Sequence, residues 1–353
     1  MISRQRYPFL IATGIGLFFA LVSRYLFDDD LANRAGNLLT FSYLLVTPLA
    51  LGAITAHFMP AESFAWRVFG TPGLTVLLFI VSTLIFHLEG LVCLIIIGPV
   101  FFILASAGAW LYLIITEFLP PRRDKTLAVA AFALLPFVAV AIENQVDTLD
   151  NFRRVENSVL INAPAEVVWQ HIIRVAPIGA TDLRPSLIDD IGFPRPIEAT
   201  LTHEGVGGVR HATFERGVEF IETVDDWQPL RRLSFSIVPN TATIPPTTFD
   251  EHVLVGGRFF DVLRGTYELR PAGPGRTRLA LYSEQRLSTH LNWYAGLWTS
   301  YVMSEIQGRI LLVLKQRCEA QKALARHAQS PVPSLLPLGG RRASAHASAG
   351  SYH

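Results

Sequence analysis

The chain contains very little cysteine, with two in 353 residues. Cys93 lies in a long apolar run and Cys318 in a segment with helical periodicity. The two therefore have neither the spacing of a disulfide framework nor that of a metal site. We expect no metal and no other cofactor.

Charged residues are also scarce, because Asp, Glu, Lys and Arg make up 17% of the chain and leave a formal net charge of +1. The basic residues do not cluster beyond short groups such as Arg231-Arg232, so the sequence predicts no nucleic-acid surface. Hydrophobic residues make up 50% of the chain, which is high for an ordinary globular protein. This average conceals two different parts.

The scarcity of charge is concentrated in the first part of the chain. Up to about Ile142 the apolar runs are long, whereas from Glu143 onward Arg, Asp and Glu recur every few residues. We predict a transmembrane region over residues 1–142, a linker over 143–155, a folded domain over 156–326 and a tail over 327–353. The tail is rich in Pro, Gly, Ala, Ser and His, a composition typical of disorder.

The first part contains five apolar runs of about the length that a helix needs to cross a bilayer. The predicted spans cover residues 7–27, 38–59, 72–86, 91–119 and 126–142. The fourth run is long for one upright helix, and Gly98-Pro99 interrupts it. We therefore predict a short re-entrant or kinked piece followed by a span. The sequence contains no internal repeat typical of a transporter.

The charges of the short loops predict an orientation. Basic residues accumulate at one end of a five-span bundle, and they are Arg4, Arg6, Arg67, Arg122, Arg123 and Lys125. An excess of Lys and Arg marks the cytoplasmic side. The folded domain is then expected on the non-cytoplasmic side of an integral membrane protein, which we assign to a bacterial inner membrane.

Ionisable residues close to membrane depth raise the question of a proton or metal relay. His87 and Glu89 lie in the segment HLEG, next to the helix breaker Gly90. We therefore expect them at a hydrated helix end and not in a relay.

The second part of the chain begins with the stretch SVLINAPAEVVWQHI, residues 158–172. Alternation up to Ile161 predicts a strand, and Pro164 suits the first turn of the helix that follows. Further strands are predicted at residues 197–204, 208–215, 218–224, 232–238, 258–270 and 276–285. Their short connections indicate antiparallel neighbours. A long amphipathic helix over residues 291–325 completes an α+β domain, in which a curved antiparallel sheet surrounds that helix.

Three segments carry a resemblance to a known family. They are VLINAPAEVVWQHI, DWQPLRRLSFSI and GTYELRPAGPGRTRLAL. In this order of elements, residues 156–325 resemble the START-like superfamily, also called SRPBCC or the polyketide cyclase and lipid-transport group. The resemblance implies a helix-grip fold with a long apolar cavity between the sheet and the C-terminal helix. It does not imply which molecule the cavity holds.

Strand alternation assigns candidate residues to the inside of the domain. Glu222 shares a face with Val218, Phe220 and Val224, and Asp261 shares one with Phe259, Leu263, Tyr267 and Leu269. A carboxylate in an apolar interior needs a partner. We therefore expect Arg210 or Arg286 to meet Glu222 or Asp261 there, as a site for a polar head or as an acid-base pair. A purely structural ion pair and a bulge that turns these side chains outward are the alternatives.

Further candidates complete the predicted site. His211 and Glu284 could serve as a general base and acid, although a strand histidine is more often hydrogen-bonded or on the surface. Trp293, with its neighbours Tyr294 and Trp298, is expected at the cavity mouth, at a membrane interface or in the core. The predicted ligand-binding set comprises Arg210, His211, Glu222, Asp261, Tyr267, Glu284, Arg286 and Trp293.

Three functions are compatible with these patterns. The favoured one is membrane-anchored binding of a lipid or other hydrophobic small molecule, by a carrier or sensor. An enzyme of cyclase, dehydratase or hydrolase type would need Glu222, Asp261 or His211 to converge in a water-poor pocket. A non-catalytic membrane assembly module would need a filled core and an exposed apolar patch.

Overall fold

The computed structural model describes residues 6–27, 40–59, 63–118, 123–143, 145, 149–179, 181–240, 256 and 259–329. The predicted tail beyond Gln329 lies outside these residues, as do Arg4 and Arg122 of the loop-charge argument.

The described residues of the first part form five α-helices. They are α1 (Arg6–Leu26), α2 (Thr47–Phe58), α3 (Thr71–Ile85), α4 (Leu91–Glu117) and α5 (Arg123–Glu143). Two π-helical segments, Ser42–Val46 and Trp66–Gly70, lead directly into α2 and α3. Each predicted span coincides with a helix. Four of these helices are long and apolar enough to cross a membrane, whereas the apolar helix Ser42–Phe58 is shorter.

Helix α4 does not contain the predicted interruption. One helix continues from Leu91 to Glu117 with Pro99 inside it, so of the two predicted alternatives the re-entrant piece was wrong and the kinked helix stays a prediction. Proline at position 99 removes only the hydrogen bond to the carbonyl of Ile95.

The charges near the start of α4 are paired inside the protein. Arg24 Nε donates to Glu89 Oε1 at 2.6 Å, and Arg24 Nη2 donates to the carbonyl of Leu88 at 2.8 Å. Both charged side chains are largely buried. The prediction of a hydrated Glu89 was wrong, because the end of α1 places Arg24 against it. His87 is exposed, at a turn of positive φ.

The second part forms a seven-stranded antiparallel sheet and a long helix within the described residues. The elements are β1 (Asn151–Ile161), α6 (Ala165–Ile173), α7 (Leu187–Asp190), β2 (Pro196–Leu201), β3 (Val209–Phe214), β4 (Glu219–Gln228), β5 (Arg232–Pro239), β6 (Phe260–Pro271), β7 (Thr277–Leu287) and α8 (Asn292–Gln329). The strand order is β1-β7-β6-β5-β4-β3-β2. A curved sheet around a C-terminal helix, behind a helical bundle, confirms the predicted fold class.

Element boundaries differ from the predicted ones where pairing extends beyond the local pattern. Strand β1 begins at Asn151, inside the predicted linker, because its ladder with β7 starts at the Asn151–Leu287 pair. Strand β4 continues past Val224 to Gln228 through a bulge against β5. Hydrogen bonding to a neighbouring strand therefore extends both strands beyond their apolar alternation.

The core of the folded domain lies where α6 meets the sheet and the second half of α8. Trp169 and Ile172 of α6 are buried together with Leu311 and Leu314 of α8. Trp169 also stacks edge-to-face on Trp227, with ring centroids 5.2 Å apart. This packing explains why the stretch after Pro164 is apolar on one face, and it leaves the first half of α8 for other contacts.

The first half of α8 contacts the helices of the first part. The hydroxyl of Tyr294 donates to the carbonyl of Ile96 in α4 at 2.5 Å. Leu291 is buried in the apolar cluster of the helical bundle. Glu143 Oε1, at the end of α5, lies 3.5 Å from His290 Nε2. The sheet, α8 and the start of α4 therefore meet at one place.

Candidate functional site

A cavity of about 290 Å³ lies at this meeting point. The sheet and α8 supply most of its walls, as the helix-grip fold implies. The sheet contributes mainly aromatic and branched aliphatic side chains, among them Phe214, Phe220, Phe235, Ile237, Val262 and Leu281. Helix α8 contributes Trp298, Val302, Met303, Ile306 and Ile310. Such a surface favours an apolar occupant over water.

One wall of the cavity comes from the helical bundle. Its residues are Leu44 of the π-helical segment and Cys93, Ile96, Ile97 and Val100 of α4. Sequence reasoning missed this wall, since it assigned the cavity to the folded domain alone. Local patterns report which face of a helix is apolar and not which distant segment covers it.

Glu222 is the acidic group of the cavity wall, and Arg210 lies directly behind it. The two residues face each other on β4 and β3, and Arg210 Nη1 donates to Glu222 Oε2. Their side chains are 2% and 11% exposed. The guanidinium also lies 4.8 Å from the ring centroid of Phe235 and 5.9 Å from that of Tyr267. The structure therefore brings together three residues of the predicted set.

Burial dominates the electrostatics of this cluster. It raises the pKa of Glu222 above the usual glutamate value, while the charge and the hydrogen bond of Arg210 act in the opposite direction. Burial likewise raises the pKa of Tyr267 to about 12, against the charge of Arg210. The phenol is therefore neutral at physiological pH, and the carboxyl group of Glu222 is already bound within the protein.

Asp261 does not line the cavity, which corrects the predicted face. The register of β6 against β7 shifts between Val262 and Arg264. Before the bulge Val262 faces the cavity, and after it Tyr267 does. Side chains alternate between the two faces of a sheet only along an uninterrupted strand ladder. The bulge alternative was therefore correct for Asp261.

The second predicted cation also lies away from the cavity. Arg286 is the register partner of Asp261 on β7, outside the cavity wall. Its Nη1 donates to the hydroxyl of Ser288 at 3.0 Å and lies 3.6 Å from Asp150 Oδ1. Burial raises the pKa of Asp261, opposed by a backbone hydrogen bond from Val262 and by the charge of Arg286.

The predicted acid-base pair is not assembled. His211 Nδ1 lies 2.8 Å from Glu219 Oε1 in a partly exposed pair, and Glu284 is exposed. Neither residue lines the cavity, because Arg210 and Ser283, their neighbours in the chain, occupy the inward positions. Trp293 is also exposed, whereas the adjacent Tyr294 lines the cavity.

A polar row on β7 was missed by the sequence reasoning. Ser283 and Gln285 lie between Leu281 and Leu287 at alternate positions, and all four are buried. Gln307 of α8 donates through Nε2 to the hydroxyl of Ser283 at 2.8 Å. The available signal was two polar residues inside an otherwise apolar alternation.

No protein-family model and no curated protein sequence matches the chain. Similar solved structures include the Zhui aromatase/cyclase from Streptomyces sp. R1128, with 18% identity over 50% of this chain and 98% of that one and a TM-score of 0.33. A START superfamily protein from Mycobacterium smegmatis is 14% identical over 48% of this chain and 98% of its own, with a TM-score of 0.30. Truncated norcoclaurine synthase from Thalictrum flavum is 14% identical over 47% and 94%, with a TM-score of 0.28.

Proposed function

We propose that this chain is a membrane-anchored protein that binds a lipid or another hydrophobic small molecule in its helix-grip cavity, as a carrier or sensor. The observation that carries the proposal is the shared cavity, in which the sheet and α8 supply most walls and α4 supplies another. An apolar occupant gains free energy by leaving water for such a site.

The helices of the first part support a membrane source for the ligand. Four of them are long and apolar enough to cross a bilayer. When α4 crosses the bilayer, its first residues, which include Cys93 and Ile96, lie at the membrane surface next to the folded domain. A ligand then passes between bilayer and cavity without crossing bulk water. Arg67 and Lys125 lie at the start of the two apolar segments Trp66–Ile85 and Lys125–Glu143, at the opposite end from the folded domain, which favours a non-cytoplasmic location of that domain.

The alternative functions receive less support. A cyclase, dehydratase or hydrolase needs a positioned acid and base. Of the three candidates, only Glu222 lines the cavity, and Arg210 already binds it. An assembly module needs a filled core, whereas this domain contains a cavity of about 290 Å³.

The two cysteines provide a direct test of cavity occupancy. Cys93 lines the cavity, whereas Cys318 is fully buried and burial raises the pKa of its thiol to about 12. N-ethylmaleimide should therefore alkylate the folded full-length protein at Cys93. We expect a co-purified or added hydrophobic ligand to slow this alkylation, because the occupant blocks access. Mass spectrometry of the denatured protein measures the rate, and Cys93→Ala verifies the site.

Matched variants separate the cavity from the surface of α8. Val302→Trp, whose side chain enters the cavity, should abolish ligand protection and remove any co-purified molecule. Leu297→Trp adds an aromatic ring to an exposed position of the same helix and should leave both unchanged. An alkylation rate that no hydrophobic compound alters, together with no bound molecule in wild-type protein, would contradict the proposal and favour an assembly module.

A further inference from the structure

The described residues of the cavity wall offer no positive charge to a ligand. Among the described residues that line it, Glu222 is the one with a formal charge, and Arg210 holds its carboxyl group. Arg210 itself lies behind the wall and is 2% exposed. A carboxylate or phosphate that entered this cavity would lose its hydration without gaining a cation. The charge distribution therefore favours an uncharged ligand.

Gln285 is a buried amide without a partner. It lies on β7 between Ser283 and Leu287, which both line the cavity, and the β1–β7 register is unbroken across these positions. Gln285 thus belongs to the inward row of the strand, where its side chain is buried between these two lining residues and is not itself part of the cavity surface. It is 0% exposed, and neither Nε2 nor Oε1 has a hydrogen-bond partner among the described residues. A buried amide left in this state is costly, so it points to a missing partner.

A second buried polar group without a hydrogen-bond partner among the described residues lies on α8, which packs against β7. Thr299 lines the cavity, and its hydroxyl is buried with no hydrogen-bond partner in the described part of the chain. The neighbouring amide of Gln307 differs, because it donates to Ser283 and Val155 and accepts from Asn157. The unused hydrogen-bonding capacity is therefore found at Gln285 and Thr299 and not at Gln307.

On the basis of the proposed function, we infer that the ligand is an uncharged apolar molecule with a carbonyl or hydroxyl group, and that Gln285 and Thr299 bind this group. The amide Nε2 and the threonine hydroxyl donate to a carbonyl oxygen, and the amide Oε1 accepts from a hydroxyl. The apolar remainder of the ligand occupies the space between the aromatic wall of the sheet and α8. Ketones, quinones, esters and long-chain alcohols belong to this class.

Probes of equal chain length and different head groups test the inference. The full-length protein in detergent is freed of bound lipid and titrated with 2-tetradecanone, 1-tetradecanol, tetradecane or tetradecanoate at pH 8. The measured quantity is the mole fraction of probe in the micelle that halves the alkylation rate of Cys93. We expect the ketone and the alcohol to bind about three- to tenfold more tightly than tetradecane, which corresponds to one or two net hydrogen bonds. Tetradecanoate should bind most weakly.

The variant Gln285→Leu should remove the advantage of the ketone over tetradecane and leave tetradecane binding unchanged. Thr299→Val, which keeps the side-chain shape, should reduce the same advantage. Gln228→Leu, on the exposed end of β4, is the matched control and should change neither probe. Because Gln285→Leu removes an unpartnered buried amide, its unfolding temperature should equal or exceed that of the wild type.

The possible outcomes separate this inference from the proposed function. A ketone advantage that survives in Gln285→Leu, strongest binding by tetradecanoate, or a marked loss of stability in Gln285→Leu would overturn the inference. The last result would assign the amide to a structural water. If no probe protects Cys93 in the wild-type protein, the proposed function itself fails.

Discussion

Replacing Arg210 by leucine should lower the free energy of unfolding by about 3–5 kcal/mol, because it leaves the carboxylate of Glu222 buried without a partner. Both side chains are largely buried, at 2% and 11% exposure. The measurement is urea unfolding of the folded domain in the detergent-solubilised full-length protein. Tryptophan fluorescence follows it, since Trp169 and Trp227 lie in the core.

Two controls distinguish an unpaired charge from lost packing. The double variant Arg210→Leu with Glu222→Leu should recover most of the lost stability, since no charge then remains in the apolar interior. Arg174→Leu breaks the exposed pair with Glu204, whose side chains are 46% and 54% exposed, and should cost less than about 1 kcal/mol. Equal losses for Arg210→Leu and Arg174→Leu would mean that the buried pair has no special energetic role.

The pH dependence of the same variant provides an independent check. Burial raises the pKa of Glu222 above its ordinary value of 4.5, and removing Arg210 raises it further. The folded variant then retains a proton that the unfolded chain releases, so its stability is highest below about that ordinary pKa and falls as pH rises through the raised one. The difference from wild type should therefore be small at acidic pH and large near neutrality. A difference independent of pH would contradict this assignment.

Alanine at Gly52 or Gly108 should destabilise the helical bundle by at least about 1–3 kcal/mol, because α2 and α4 touch through backbone at these positions. A Cβ on Gly52 would lie 1.7 Å from the carbonyl oxygen of Ala105, and one on Gly108 would lie 2.0 Å from that of Leu49. Backbone oxygens cannot move aside by changing rotamer, so the helices must separate. The thermal midpoint of the detergent-solubilised protein, followed by size-exclusion chromatography, measures this loss.

Gly14→Ala is the matched control for the helix contact. Gly14 lies in α1, and a Cβ there meets nothing within 4 Å. This substitution should be neutral or stabilise by up to about 1 kcal/mol through the higher helix propensity of alanine. Since α4 supplies a cavity wall, Gly108→Ala should also weaken ligand protection of Cys93. Unchanged midpoints for both Gly52→Ala and Gly108→Ala would show that the bundle tolerates a wider α2–α4 spacing.

Local periodicity explains which predictions were correct. Long apolar runs coincide with helices, alternating segments coincide with strands, and the apolar stripe after residue 291 is the helix α8. These features depend on neighbours within a few residues, so the period of hydrophobicity is sufficient to predict them. The inward position of Glu222 belongs to the same class, because this residue lies on a regular part of β4.

The wrong predictions concern contacts between distant segments, about which local periodicity carries no information. A single bulge in β6 reverses the face of Asp261, although no residue near Val262 signals it. Arg24 and Glu89 pair across helices that are far apart in the chain. Helix α4 continues through Pro99, which the local pattern treats as a helix breaker.

The sequence by itself determined the two-part organisation of the chain and the type of nearly every helix and strand, while the family resemblance implied an apolar cavity between sheet and helix. Only the tertiary structure decided that α4 closes this cavity, that Arg210 and not Arg286 meets Glu222, and that Gln285 and Thr299 carry unused hydrogen-bonding groups. The physical reason is that burial and hydrogen bonding depend on which distant segments become neighbours. Periodicity reports only which face of each segment avoids water.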